Sequence, residues 1–477
     1  MSYQTWVFAL FFAVFYPVYL AVKGTRLRLP WLLAGSYVFY GWLHPSFAMW
    51  LFYATVVDYV AVRGMARRRA KMPWLLVSLV NDLGLLAFFK YGGAVNALLA
   101  RHGIPFALPA PGVWITDLTN SVLAHLGIPY HYSLPGLVLP VGMSFYIFQS
   151  LTYSIGFYRG EMKQPAGFLR YAAFVAMFPQ LLSGPIERAK NLLPQLERVP
   201  RISTQDVADG LSLFVVGLFK KVVIADWLGL YVDKIYQSPG QFQAPALLAA
   251  TLAFSWQIYF DFSGYTDMAR GVGRALGFPL MLNFNNPYLA TGLGDFWRRW
   301  HISLSTWFRD YVYIPLGGNR HGPVATYRNM FLTMVISGIW HGATWNFALW
   351  GALHGLGRIS TRRLEEAESY RRLPRAVKVL WVFLFVSFAW IFFRASTLSD
   401  AWLIVSRIAC FSWTDPACPL LLAAMVLAVW LYQAAYESRL RAVLSLAVVR
   451  IALVVAMILA VAIFAQGGSH DFIYYQF

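Results

Sequence analysis

Long apolar runs recur from one end of this chain to the other, and a polar segment interrupts them at the centre. The runs are Trp6–Val22, Trp31–Trp42, Phe47–Val62, Trp74–Phe89, Leu134–Phe157, Tyr171–Leu182, Val207–Leu228, Ala244–Tyr259, Met330–Trp345, Val377–Phe393, Leu420–Tyr432 and Leu444–Phe464. A helix needs about 20 apolar residues to cross a hydrocarbon core about 30 Å thick at about 1.5 Å per residue. Several runs fall short of that, so they must tilt, extend through amphipathic flanks or re-enter the bilayer. The expectation is an all-α, polytopic integral membrane protein with roughly ten to thirteen membrane-embedded helices around a central polar tunnel. Composition argues against soluble alternatives: 59% of residues are hydrophobic and 13% charged, where soluble domains run to about 45–50% and about 25%. A disordered chain, a coiled coil and a disulfide scaffold are excluded on the same grounds. With no internal repeat or low-complexity stretch, residues 1–477 read as one domain.

Charge sets the expected orientation. The chain carries 39 basic and 21 acidic residues, a net +18. No aromatic–basic nucleic-acid module accompanies that excess, so it reads as basic loops held against an anionic cytoplasmic leaflet. Lys23, Arg26 and Arg28 follow the first run; Arg67, Arg68 and Arg69 lie in an acid-free loop; Arg358–Lys378 and the pair Arg439 and Arg441 are basic again. By the positive-inside rule these loops are cytoplasmic. Met1 and the tail 465–477 are then extracytoplasmic. The run Trp6–Val22, with no basic segment before it and no A-x-A site, reads as a first membrane helix rather than a signal peptide. Cys410 and Cys418 form no disulfide framework and no CxxC metal pair.

The central segment, Asp261–Arg328, is rich in Trp, Arg, Asn, Asp and Gly. Polar groups at membrane depth are costly unless they line a cavity or pair with one another, so this segment is the candidate reaction chamber. Of nine histidines, His301, His341 and His354 fall in or beside it. His341, in SGIWHGATWNFALWG, follows an apolar run and has Gly338 and Gly342 as small neighbours that would admit a substrate. Burial favours the neutral imidazole, which can accept a proton; the bland alternative is a core histidine bonded to a backbone carbonyl. His301 follows Arg298 and Arg299, and Arg309 comes eight residues later, about two helical turns on. Arginines beside a histidine suit an anionic or phosphorylated ligand, although arginines snorkelling at a membrane interface fit the same text. His354 and Asn346 read as second-layer residues of the chamber, and Asp261 and Asp267 as residues that shape it.

Absences narrow the chemistry. There is no GxSxG elbow, P-loop, HExxH or H-x4-D pattern, and no metal-ligand spacing. A serine hydrolase, an ATPase and a zinc protease are therefore unsupported.

Five stretches are more specific: Phe178–Arg188 (FPQLLSGPIER), Gln257–Gly271 (QIYFDFSGYTDMARG), Asn283–Tyr288 (NFNNPY), Phe296–Asn319 (FWRRWHISLSTWFRDYVYIPLGGN) and Ile336–Gly355 (ISGIWHGATWNFALWGALHG). Together they resemble the membrane-bound O-acyltransferase family, in its alginate O-acetyltransferase and teichoic-acid D-alanyltransferase branch. The resemblance implies transfer of an acyl group from a cytoplasmic thioester, across the membrane, for O-acetylation of an exported, alginate-like polysaccharide. It implies acetyl-CoA as donor substrate with no tightly bound cofactor, a bacterial inner-membrane location, polysaccharide export machinery and an extracytoplasmic SGNH-hydrolase-like partner. His341 matches the family's catalytic histidine and His301 its second characteristic histidine, on the donor side with Arg298, Arg299 and Arg309. The tail DFIYYQF resembles the Phe-Ile-Tyr-x-x-Phe ending of this branch, in which Tyr474 would be a transient acyl carrier; an aromatic-belt residue is the plain alternative. D-alanyl transfer from a carrier protein to teichoic acid is the runner-up. A transporter or flippase, which calls for paired halves with matching interruptions, and a non-catalytic scaffold are the rivals from other classes.

Overall fold

The computed structural model describes residues 1–108, 111–129, 140–410, 420–444 and 446–465, and these are helical with no strand among them. The chain groups into two compact units, Met1–Leu211 with Ala269–Leu280, and Ser212–Met268 with Met281–Phe477.

The first unit holds α1 (Trp6–Val22), α2 (Arg28–Gly41), α3 (Pro45–Arg67), α4 (Met72–Arg101), α5 (Pro111–His125), α6 (Met143–Tyr158), α7 (Phe168–Ala176), α8 (Phe178–Leu181) and α9 (Ala189–Glu197). The α1 helix matches its apolar run residue for residue; Thr5 caps it by accepting from the Phe8 N–H at 3.3 Å. The run Tyr171–Leu182 is broken where Met177 leaves helical geometry and Pro179, which has no N–H to donate, follows in α8. Helix ends are satisfied from a distance. Tyr16 and Tyr19 hydroxyls donate to the carbonyls of Ala275 and Leu276 at 3.0 and 2.9 Å. Arg28, buried, donates to Leu196 O at 2.7 Å and to Arg198 O. These carbonyls close helix C-termini and would otherwise be orphaned.

The boundary between the units falls within α10 (Thr204–Phe219) and, further on, within α12 (Ala244–Ala275). A π-helical turn, Lys220–Ala225, joins α10 to α11 (Asp226–Tyr236). The apolar run Ala244–Tyr259 had marked only the first half of α12. The helix continues for 32 residues, about 48 Å, because its polar second half finds partners inside the protein. Gly217 and Gly264 let α10 and α12 touch: a Cβ at either would meet the other's carbonyl oxygen, at 2.5 and 2.8 Å.

Beyond α12 the polar segment is irregular, with two short helices, α13 (Leu293–Arg299) and α14 (Ile302–Phe308), and a π turn Arg309–Tyr313. Regular helices resume with α15 (Gly322–His341), α16 (Trp345–Glu366), α17 (Glu368–Arg372), α18 (Arg375–Arg394), α19 (Leu398–Ala409), α20 (Leu420–Tyr436), α21 (Arg441–Leu444) and α22 (Ala447–Phe464).

Four described helices, α3, α4, α18 and α22, are long and apolar enough to cross a bilayer, and Trp6–Val22 and Val426–Tyr436 are shorter apolar helices. Large apolar side chains are exposed on their surfaces, among them Val80 at 70% and Val448 at 79%, as a hydrocarbon solvent allows and water does not. The protein is an all-α, polytopic membrane protein.

Candidate functional site

The histidines of the second unit are placed by two different pieces of backbone. The first is the hairpin α15–α16. A Cβ on Gly338 would overlap the Phe347 carbonyl, and one on Gly351 would overlap the Met334 carbonyl, so the two helices pack backbone against backbone. His341 ends α15 and is buried at 5% exposure. Its ring lies 4.7 Å from Trp340, 5.2 Å from Trp350 and 5.2 Å from Phe393. The sequence reading gave Gly338 and Gly342 to the substrate. The structure gives their space to Phe347, whose ring fills the position a Gly342 Cβ would take. Close helix approach accounts for Gly338, and the Phe347 ring for Gly342.

The second piece is the junction of α13 and α14. His301 sits there with φ 43°, left-handed for a residue with a Cβ, a conformation that costs roughly 1–3 kcal/mol and needs its surroundings to hold it. Asn283 does the holding. Its carbonyl accepts from the Ile302 N–H at 2.9 Å. Its side-chain Oδ1 accepts from the Ser303 N–H at 3.2 Å, from the Ser303 hydroxyl at 2.9 Å and from His301 Nδ1 at 3.1 Å. With Nδ1 donating, the Nε2 of a neutral ring carries the lone pair. His301 is buried at 1% against Phe262, 4.6 Å away edge-on, and Phe284. It lies outside the helices long enough to span, and burial pushes its pKa down to about 3, so the ring is neutral at physiological pH. Asn283→Ala is expected to cost about 1–3 kcal/mol, since it orphans the buried Ser303 and His301 donors. Thermal unfolding in detergent measures this, and Asn283→Asp, which keeps an acceptor, should lose less.

Rings link the two histidines through one continuous shell. Phe284 meets Trp300 at 5.1 Å, Trp300 meets Trp390 at 5.2 Å, and Trp390 stacks on Trp350 at 5.6 Å beside His341. His354, on α16, is fully buried against Trp350 at 4.9 Å and Trp297 at 5.0 Å. Neither of its ring nitrogens has a hydrogen-bond partner among the described residues. Asn346 ties the start of α16 to the end of α18, donating to Ala395 O at 2.7 Å. The aromatic shell was not singled out in the sequence, although tryptophan recurs through the polar segment; nor was Asn283 given a role within NFNNPY.

The arginines divide by environment. Arg299 is held by Asp295 at 3.1 Å and by Glu437 at 2.7 Å, and Glu437 also binds Arg375 at 2.7 Å. Arg298 is 73% exposed and Arg309 60%, the latter beside Asp310. His301 is buried in a left-handed turn and Arg309 begins a π turn in the open, so the eight-residue spacing does not put them on one face.

The acids of α12 are paired with lysines rather than left facing a chamber. Lys221 Nζ, at 1% exposure, lies 2.6 Å from Asp261 and 2.8 Å from Asp226, and Lys220 lies 2.6 Å from Asp267. The adjacent lysines within an apolar run were the available signal for this, because buried cations need partners. No group of three or more His, Cys, Asp or Glu among the described residues could hold a metal ion. Tyr474 lies outside the described residues.

Residues 159–399 match the MBOAT, membrane-bound O-acyltransferase, family. The chain is 40% identical over 409 residues to a protein named probable alginate O-acetylase AlgI from Pseudomonas aeruginosa, covering 82% of this chain and 72% of the relative. It is 34% identical over 402 residues to a peptidoglycan O-acetyltransferase of Helicobacter pylori, covering 78% and 72%. A teichoic acid D-alanyltransferase of Streptococcus thermophilus is 29% identical over 240 residues, 46% of this chain and 56% of that protein.

Proposed function

This chain belongs to the membrane-bound O-acyltransferase family and is an O-acyltransferase, and from that premise we propose that it moves an acetyl group from cytoplasmic acetyl-CoA across the membrane for O-acetylation of an exported, alginate-like polysaccharide. The observation that carries the reading is the similarity to alginate O-acetylases along most of the chain. The D-alanyl alternative is supported over about half of it.

The site fits the chemistry. Arg299 is tied to Glu437 and, through it, to Arg375, which lie in or beside the basic loops that charge assigns to the cytoplasm. Exposed Arg298 and Arg309 would meet the phosphates of coenzyme A there. Trp350, which touches His341, stands sixteen residues up α16 from Glu366, about 24 Å from that basic end. An acyl group delivered to His341 has therefore travelled inward.

At His341 the neutral imidazole takes the proton of an attacking hydroxyl. The hydroxyl oxygen bonds to the thioester carbonyl carbon, the C–S bond breaks, and the leaving thiolate recovers the proton from the imidazolium. The attacking hydroxyl belongs to Tyr474 or to an extracytoplasmic, SGNH-hydrolase-like partner, which passes the acetyl group to the glycan. The bacterial inner membrane, with both termini extracytoplasmic, is the setting this requires.

Labelled acetyl-CoA supplied to membranes, against a D-alanyl-charged carrier protein in parallel, tests the donor; label from the carrier alone would reverse the assignment. For the carrier role, intact mass of the tail peptide should show an acetyl adduct that Tyr474→Phe lacks, with glycan acetylation lost. Wild-type glycan acetylation in that variant would end the role of Tyr474.

A further inference from the structure

A second buried polar centre lies in the first unit, and the transferase reading does not use it. Asp58 of α3 and Asp82 of α4 are both fully buried, on two of the helices long and apolar enough to cross the bilayer. The Ser78 hydroxyl donates to Asp58 Oδ1 at 2.6 Å and shares a 2.8 Å bond with Ser154. The Ser150 hydroxyl donates to Asp58 Oδ2 and lies 2.6 Å from the Tyr171 hydroxyl.

Asp82 is differently served. Asn81 donates to its Oδ1 at 3.2 Å, whereas Oδ2 is buried with no hydrogen-bond partner. The two carboxyl groups lie within hydrogen-bonding reach of one another. Two bare carboxylates cannot make that contact; something positive must lie between them. No basic side chain among the described residues is paired with either. The other titratable groups that act on the pair are phenols: Tyr171 from α7 and Tyr146 from α6, whose own hydroxyl is buried without a partner, with Tyr153 and Tyr37 behind them. Phenols stay neutral near pH 7 and cannot balance the charge.

The donor set is all oxygen, which suits a proton or a hard cation. A magnesium ion would keep several waters, and a calcium ion calls for six to eight ligands; this packed set of two carboxyls and a few hydroxyls serves neither. We propose that Asp58, Asp82 and the hydroxyls around them form an intramembrane binding site for one small monovalent cation, a sodium ion or a proton. The site is independent of the acyl-transfer reading.

The test is thermal unfolding of the full-length protein in detergent. Sodium chloride is exchanged for N-methyl-D-glucamine chloride at constant ionic strength, from mildly acidic to alkaline pH. With sodium as occupant, added sodium raises the unfolding temperature saturably at alkaline pH, and the rise shrinks as protons compete. With the proton as occupant, sodium has no effect, but stability falls with rising pH, because the folded state binds a proton that the unfolded carboxyl does not. Asp82→Asn abolishes whichever dependence the wild type shows. Ser150→Ala, which keeps both acids, raises the half-saturating concentration of sodium about tenfold, or moves the pH-dependent loss to higher pH, because the Ser150 hydroxyl donates to the Asp58 carboxyl and favours its ionised form. A wild type indifferent to both ions, or one whose dependence survives unchanged in both variants, overturns the proposal.

Discussion

Membranes carrying His341→Ala should transfer acetyl groups from acetyl-CoA at a rate lower by about 10²–10⁴-fold, at expression equal to wild type. That is the range lost when a positioned general base is removed. The expectation rests on position. His341 closes α15, and its ring is boxed by Trp340, Trp350 and Phe393. These rings hold its orientation. The same packing says how to separate chemistry from folding. His341→Gln keeps most of the volume, so its unfolding temperature should stay near that of wild type while its activity falls with the alanine variant's. Transfer retained in both would remove His341 from the reaction.

The largest expected loss of stability comes from Lys221→Met, about 3–5 kcal/mol, the typical cost of breaking a buried ion pair by deleting one partner. Lys221 is 1% exposed and lies between Asp261, 3% exposed, and Asp226, 12% exposed. Removing the ammonium leaves two carboxylates facing each other in a dry interior, with neither water nor salt to screen them. Unfolding in detergent, followed by intrinsic tryptophan fluorescence, measures the loss. The triple change Lys221→Met, Asp226→Asn, Asp261→Asn removes both signs of charge together and should recover most of the stability. A single variant as stable as wild type would show that the triad is hydrated rather than buried.

How much was legible in advance differs by region. Element existence was clear wherever the chain is uniformly apolar: α1 and α18 follow their hydropathy runs to within two residues. It was misread where a helix changes character along its length. α12 looks finished at Tyr259 because Asp261, Ser263, Thr266 and Asp267 follow. Yet the helix runs on to Ala275, since Lys220 and Lys221 meet Asp267 and Asp261 from forty-seven and forty residues earlier. Spacing also misled at Arg309. A two-turn relation to His301 presumes an unbroken α-helix, and the chain instead enters α14 from a left-handed residue and leaves it through a π turn. The residues around His341 and His301 were legible as a group because imidazole, guanidinium and indole are rare neighbours in an apolar chain.

By itself, the amino-acid order determined that this protein lives in a membrane and that its backbone is helical. Hydrocarbon forces every backbone group to bond within its own segment, and ionisable residues are kept there only for a reason. The tertiary structure alone decided which polar groups meet. It joined Asn283 to His301 and Ser303, Lys221 to Asp261, and Asp58 to Asp82, pairs separated by between eighteen and forty residues. It also turned Gly338 from room for a substrate into part of a seam between helices, with Gly351 on the facing side. Such pairings depend on distances across packed helices, and no local periodicity in the chain encodes them.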